Sequence, residues 1–134
     1  MMQRDPADAA DAADAAEQEL RTVAEALTTP LPDECVLCYV WRMLDAFGCN
    51  ATLRWTRRWR DARAPRATAL EHRLGRRGGF CDCEIFLNGW RLRTGLAGTS
   101  AGEAGRRAVS TVCGGVRRGS AQPCPRWVRR PRHG

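Results

Sequence analysis

Cys35-Val36-Leu37-Cys38, Cys49 and Cys81-Asp82-Cys83 place five thiols in the middle of this chain. Zinc takes thiolates at about 2.3 Å in tetrahedral geometry, and structural zinc sites use all four positions. Cys-x-x-Cys brings two sulfurs to one ion from a knuckle or from one helical face. Cys-x-Cys does so if the backbone turns between them, or from a strand, where positions i and i+2 share a face. The two pairs are about forty residues apart, so a common metal would clip two distant parts of the chain together and supply folding free energy directly.

Five thiols compete for four places. Cys49, Cys81 and Cys83 are the stronger candidates, and Cys35 and Cys38 are the others. His72, between Glu71 and Arg73 in a helical stretch, reads as a solvated side chain rather than a ligand. Cys113 and Cys124 fall in a Gly/Arg-rich tail and read as incidental. The competing reading takes the thiols as small buried hydrophobes. A third takes Cys35 and Cys38 as a redox dithiol. A helix N-terminus lowers a thiol pKa, but Asp33 and Glu34 oppose this, and no βαβ pattern surrounds the pair.

The elements that must position these thiols are few. Residues 33–47 predict a helix, with Asp33 as N-cap and Gly48 as the stop. Val36, Val40, Met43, Leu44 and Phe47 share one arc of it, and Cys35 and Cys38 lie on the other side. A second helix runs to about Arg63, with Trp55, Trp59 and Ala62 on one face. Pro65 suits the first turn of a third helix carrying Leu70 and Leu74. Phe80 to Leu87 predicts a short strand or a turn entering one, and Asn88-Gly89 is a turn signal. The expected fold is mainly α with a short β segment, a small α+β domain over residues 33–90.

Two arms flank it. Residues 1–34 hold nine acids against Arg4 and Arg21, a net charge of −7; residues 35–134 hold twenty arginines against six acids, a net of +14. Residues 1–32 read as an acidic, Ala/Asp-rich arm, partly disordered, with a short helix near Leu20, Val23 and Leu27 before Pro30. Residues 91–134, with eight glycines, ten arginines and no apolar period, read as a disordered tail. A core of the intervening size rarely contributes more than about 3–5 kcal/mol and often recruits a metal.

Residues 34–90 resemble a bacterial family catalogued as domain of unknown function 2695. The resemblance is carried by Phe47-Gly48-Cys49-Asn50-Ala51-Thr52-Leu53-Arg54, by Trp59, and by Gly78-Gly79-Phe80-Cys81-Asp82-Cys83-Glu84-Ile85-Phe86-Leu87-Asn88. It implies no activity. Many members carry Cys-Asp-His where this chain has Cys49-Asn50-Ala51. If that histidine is a ligand, its loss here leaves Cys35 or Cys38 to fill the gap.

Other chemistry is thin. Arg54, Arg57, Arg58 and Arg60 interleave with Trp55 and Trp59, a mixture that nucleic-acid binders use for phosphates and stacking. The helical wheel instead puts both tryptophans in the core and the arginines on a solvated face. No phosphate loop, dinucleotide fingerprint or Ser–His pairing appears, so no catalytic residue is assigned. No apolar run long enough to span a membrane and no secretory signal is visible. The expectation is a cytoplasmic, zinc-stapled module that binds a protein or a nucleic acid, with the dithiol redox protein and the nucleic-acid binder as alternatives.

Overall fold

The computed structural model describes residues 6–93 and 113–131. The first five residues, the last three including His133, and the 94–112 portion of the expected tail lie outside it. The fold is small α+β and mainly helical. In order it runs α1 (Pro6–Thr28), α2 (Val36–Phe47), α3 (Arg54–Arg63), α4 (Leu70–Gly75), α5 (Asp82–Glu84), a π-helical turn (Ile85–Gly89), β1 (Trp90–Leu92) and β2 (Trp127–Arg129).

The Ala/Asp repeat forms one continuous helix, longer than the short helix expected near Leu20. Alanine's helix propensity suffices over this length, but Leu20, Val23 and Leu27 stay exposed. The helix stops just before Pro30, and its end is fastened to the core. The Thr28 carbonyl accepts from Tyr39 Oη at 2.5 Å and from Arg58 Nε at 3.0 Å.

Helix α2 is the centre of the core. It starts at Cys35, not at the expected cap Asp33, which adopts a left-handed φ of 61° outside the helix. Cys35 has extended backbone and caps with its sulfur, which accepts from Cys38 N at 3.3 Å. Gly48, at φ 79°, ends the helix as expected. The first turns are buried on every side, from Val36 through Val40. The face with Cys38 is therefore covered, and what covers it is the C-terminal segment.

Residues 113–131 are thus not an unstructured tail. β2 pairs antiparallel with β1 in the register Trp90↔Arg129, Arg91↔Val128, Leu92↔Trp127. Arg93 N to Arg126 O (2.7 Å) and Arg130 N to Gly89 O (2.8 Å) extend the ladder at both ends. Val116 N to Asp33 O (3.0 Å) ties the segment's other end to the entry of α2. Cys124 and Trp127 join the same hydrophobic cluster as α2, α3 and α4.

Trp55 and Trp59 of α3 face inward, as their helical spacing indicates, and each ring nitrogen finds a carbonyl. Trp59 Nε1 donates to Glu34 O at 2.9 Å and Trp55 Nε1 to Gly48 O at 3.0 Å. The Cys-x-Cys box is not in a strand. Cys81 has extended backbone and precedes the single turn of α5, which passes into the π-helical turn; the strand begins later, at Trp90. No helix among the described residues is long and apolar enough to cross a membrane.

Candidate metal centres

The structure sorts the seven cysteines into two groups rather than the single mixed set expected. Cys35, Cys38, Cys113 and Cys124 bring their sulfurs within 4.8 Å of one another; Cys49, Cys81 and Cys83 do the same separately. Cys35 and Cys38 therefore do not complete the Cys49/Cys81/Cys83 set. The reason is topological: the C-terminal segment packs on α2 and delivers Cys113 and Cys124 to the N-terminus of that helix. His72 belongs to neither group.

The four-thiol group is built for charge. Cys35 is 0 %, Cys124 1 % and Cys38 5 % exposed. Every sulfur is met by N–H donors. Cys35 Sγ accepts from Cys38 N (3.3 Å), and Cys113 Sγ from Cys35 N and Gly115 N (both 3.3 Å). Cys124 Sγ accepts from Gly114 N at 3.4 Å. Cys38 Sγ accepts from Trp127 Nε1 at 3.2 Å and from the Arg126 guanidinium at 3.4 Å. A thiol accepts weakly, whereas a thiolate is a full anion, so this many donors suits ionised sulfur.

Left to themselves, the four sulfurs do not ionise alike. The hydrogen bond to Cys124 pushes the Cys35 thiol up to about 12 and drives Cys38 upward too. The same bonds, from Cys35 and Cys38, hold Cys124 well below the ordinary thiol value. Proton sharing of this kind means that crowding opposes further ionisation; a central dication removes that opposition. The spacing fits such an ion. A tetrahedron with metal–sulfur bonds of about 2.3 Å has sulfur–sulfur edges of about 3.8 Å, and Cys38 Sγ lies 3.7 Å from Cys124 Sγ.

The three-thiol group sits where two loops meet. Cys49 follows the glycine that ends α2, and Cys81 and Cys83 flank Asp82. Asp82 N donates to Thr52 O at 3.0 Å. The Asp82 carboxylate accepts from Trp55 N (2.9 Å), Thr56 N (3.2 Å) and Thr56 Oγ1 (2.8 Å). It caps α3 from another part of the chain, in place of Leu53, which has no capping side chain. Burial raises the Asp82 carboxyl above its usual value, partly offset by these donors. Sequence reading placed Asp82 beside a metal site but did not see this structural role.

Cys81 Sγ and Cys83 Sγ are 3.7 Å apart. Burial acts upward on Cys49, but N–H donors from Cys83 and Ala51 and the neighbouring thiols outweigh it and lower its pKa. Its hydrogen bond to Cys49 pushes Cys83 up to about 12. Ala51 holds a left-handed φ of 68°, a conformation that costs a non-glycine residue about 1–2 kcal/mol. Part of that cost disappears in Ala51→Gly, offset by glycine's larger unfolded-state entropy. The expected result is a gain of about 0.5–1 kcal/mol in thermal unfolding, where a loss would show that the Ala51 methyl makes a contact of value.

The arginines proposed for nucleic acid have partners within the fold. Arg54 stacks 4.3 Å over Trp55 and donates to Gly48 O at 3.0 Å. Arg57 pairs with Glu71, Arg58 with the Thr28 carbonyl, and Arg60 with Asp61 and Glu71. The proposed redox pair, Cys35 and Cys38, is buried, so an outside disulfide reaches neither sulfur without opening the core.

Sequence reading missed Cys113, Cys124, Arg126 and Trp127. The available signal was the cysteine pair itself, followed by Trp127-Val128 in an otherwise polar stretch.

Residues 36–88 match the model of a family described as a protein of unknown function, DUF2695. The match contains the three-thiol group entire but only Cys38 of the four-thiol group. Comparison with curated proteins and with solved structures gave no match.

Proposed function

We propose that this chain, whose central residues match an uncharacterised family, is a zinc-stapled binding module without catalytic action. Its structural ion is held by Cys35, Cys38, Cys113 and Cys124. The observation that carries this reading is the convergence of four sulfurs, those of Cys35, Cys38 and Cys124 buried and that of Cys113 half-buried, each supplied with N–H donors. Four thiolates close the tetrahedron, as in structural rather than catalytic zinc sites. Soft sulfur donors also favour zinc over the hard divalent cations. The ion would join the start of α2 to the C-terminal segment and so complete the core.

Metal analysis of protein purified under reducing conditions tests this. Zinc that survives gel filtration and is lost from the Cys35→Ser/Cys38→Ser variant is expected. Protein that folds cooperatively with less than about half an equivalent of metal would overturn the reading.

A further inference from the structure

Assigning four sulfurs to one ion leaves Cys49, Cys81 and Cys83. These three converge without help from an ion, because the bonds of Asp82 to Thr52, Trp55 and Thr56 lock their two loops together. The Cys81–Cys83 separation of 3.7 Å again matches the edge of a metal–thiolate tetrahedron. Among the described residues, no fourth cysteine, histidine or carboxylate joins the group. The group also faces outward: Cys49 is exposed, Cys81 and Cys83 are half-buried, and Phe80 beside them is 70 % exposed.

We propose that Cys49, Cys81 and Cys83 form a second zinc site, different in kind from the first: a three-thiolate centre whose fourth position is open to solvent and accepts a soft donor, thiolate or imidazole, from outside the chain. The residues are disjoint from the four-thiol set, so the inference does not rest on the structural ion. Binding displaces the thiol protons to solvent. The Ala51 N–H, 3.4 Å from Cys49 Sγ, favours the thiolate that results. Three protein ligands with one open position is the arrangement of zinc sites that exchange ligands. An incoming donor adds at the open position before any thiolate leaves, so an ion here exchanges faster than one sealed in the core.

The test uses the full chain, loaded with zinc under anaerobic conditions with a non-thiol reductant. A chromogenic chelator is expected to withdraw one class of ion at least about tenfold faster than the other, the difference between an open and a closed tetrahedron. Cys49→Ser and, separately, Cys83→Ser should remove the fast class and leave the slow one. In cobalt(II)-loaded protein, added imidazole should change the visible absorption of the parent and leave that of Cys49→Ser unaltered. Absence of any fast class in the parent, or its survival in both serine variants, overturns the proposal; so does an imidazole response unchanged by Cys49→Ser. Failure of the structural-zinc reading looks different: the slow class is then missing while the fast class and the imidazole response persist. Cys49 is exposed, so its serine variant should keep the parent's tryptophan fluorescence, which confirms that the lost class reflects the site and not unfolding.

Discussion

Cys124→Ser is expected to release the core zinc and to abolish the cooperative thermal transition of the reduced protein at temperatures where the parent is folded. The sulfur is 1 % exposed, lies 3.7 Å from Cys38 Sγ, and accepts from Gly114 N. Removing one of the four leaves two buried thiols and the half-buried Cys113 with no cation to hold them, on a core that contributes roughly 3–5 kcal/mol unaided. A structural zinc site contributes an apparent 10–16 kcal/mol at neutral pH, so under the proposed staple the ion would decide whether the fold persists. β2 should come away with it, because Cys124 anchors the segment that carries Trp127. A strong chelator, or acid, which sets protons against zinc for the thiolates, should have the same effect on the parent. Cys113→Ser should behave like Cys124→Ser, whereas Cys81→Ser should leave the transition in place. If Cys124→Ser kept its zinc and melted within a few degrees of the parent, the four-thiol staple would be wrong.

That ranking reverses the one read from the sequence, and the reason shows what a sequence of this kind displays. Helices α2, α3 and α4 were legible because each repeats apolar residues at helical spacing: Val36, Val40 and Met43; Trp55 and Trp59; Leu70 and Leu74, although α4 begins at Leu70 and leaves Pro65, expected in its first turn, in the preceding turn. The inward turn of both tryptophans followed from the same wheel, as did the stop at Gly48. The segment 113–131 has no such period. Its order comes from two sulfurs, one short strand and one indole N–H, and each is fixed by a partner far away in the chain. Cys113 bonds Cys35 N across 78 positions and Trp127 bonds Cys38 across 89. Composition alone made this stretch look unstructured because glycine and arginine carry no packing signal, whereas a metal site needs only a few ligands placed correctly.

The Cys-x-Cys box shows the opposite limit. Its convergence with Cys49 was legible from residue type, but its backbone was not. A strand would have pointed Cys81 and Cys83 to one face; the structure reaches the same juxtaposition through a helical turn that also turns Asp82 inward. The same sulfur convergence is compatible with both backbones, so ligand spacing by itself does not select between them. What selects the turn is the carboxylate between the cysteines, which has the unfilled N-terminus of α3 to satisfy.

Asp82→Ala should therefore be strongly destabilising, on the scale of truncating a large core side chain. Asp82 is 0 % exposed and takes three donors, two of them backbone N–H groups in the first turn of α3. Alanine leaves those donors buried and unpaired, at about 1–3 kcal/mol each where water does not enter. Two of these bonds are the N-cap of α3, so a cap's usual worth of about 0.5–2 kcal/mol is contained in this cost and not added to it. Relief from burying a carboxylate offsets part of this, since burial already raises its pKa. The net expectation is a loss of about 3–5 kcal/mol, or a fall in melting temperature of roughly 12 °C or more for a domain of this size. Asp82→Asn should cost less, because one carbonyl oxygen still accepts while its amide faces a donor. Glu84→Ala, two residues away and without such bonds, should stay within about 0.5 kcal/mol of the parent. Thermal unfolding of the three reduced, zinc-loaded variants gives the order. The chelator assay adds a second readout: Asp82→Ala should speed loss of the surface ion, because Cys49 is then no longer held against Cys81 and Cys83. If Asp82→Ala and Glu84→Ala melted together, Asp82 would not be the tie between the two loops.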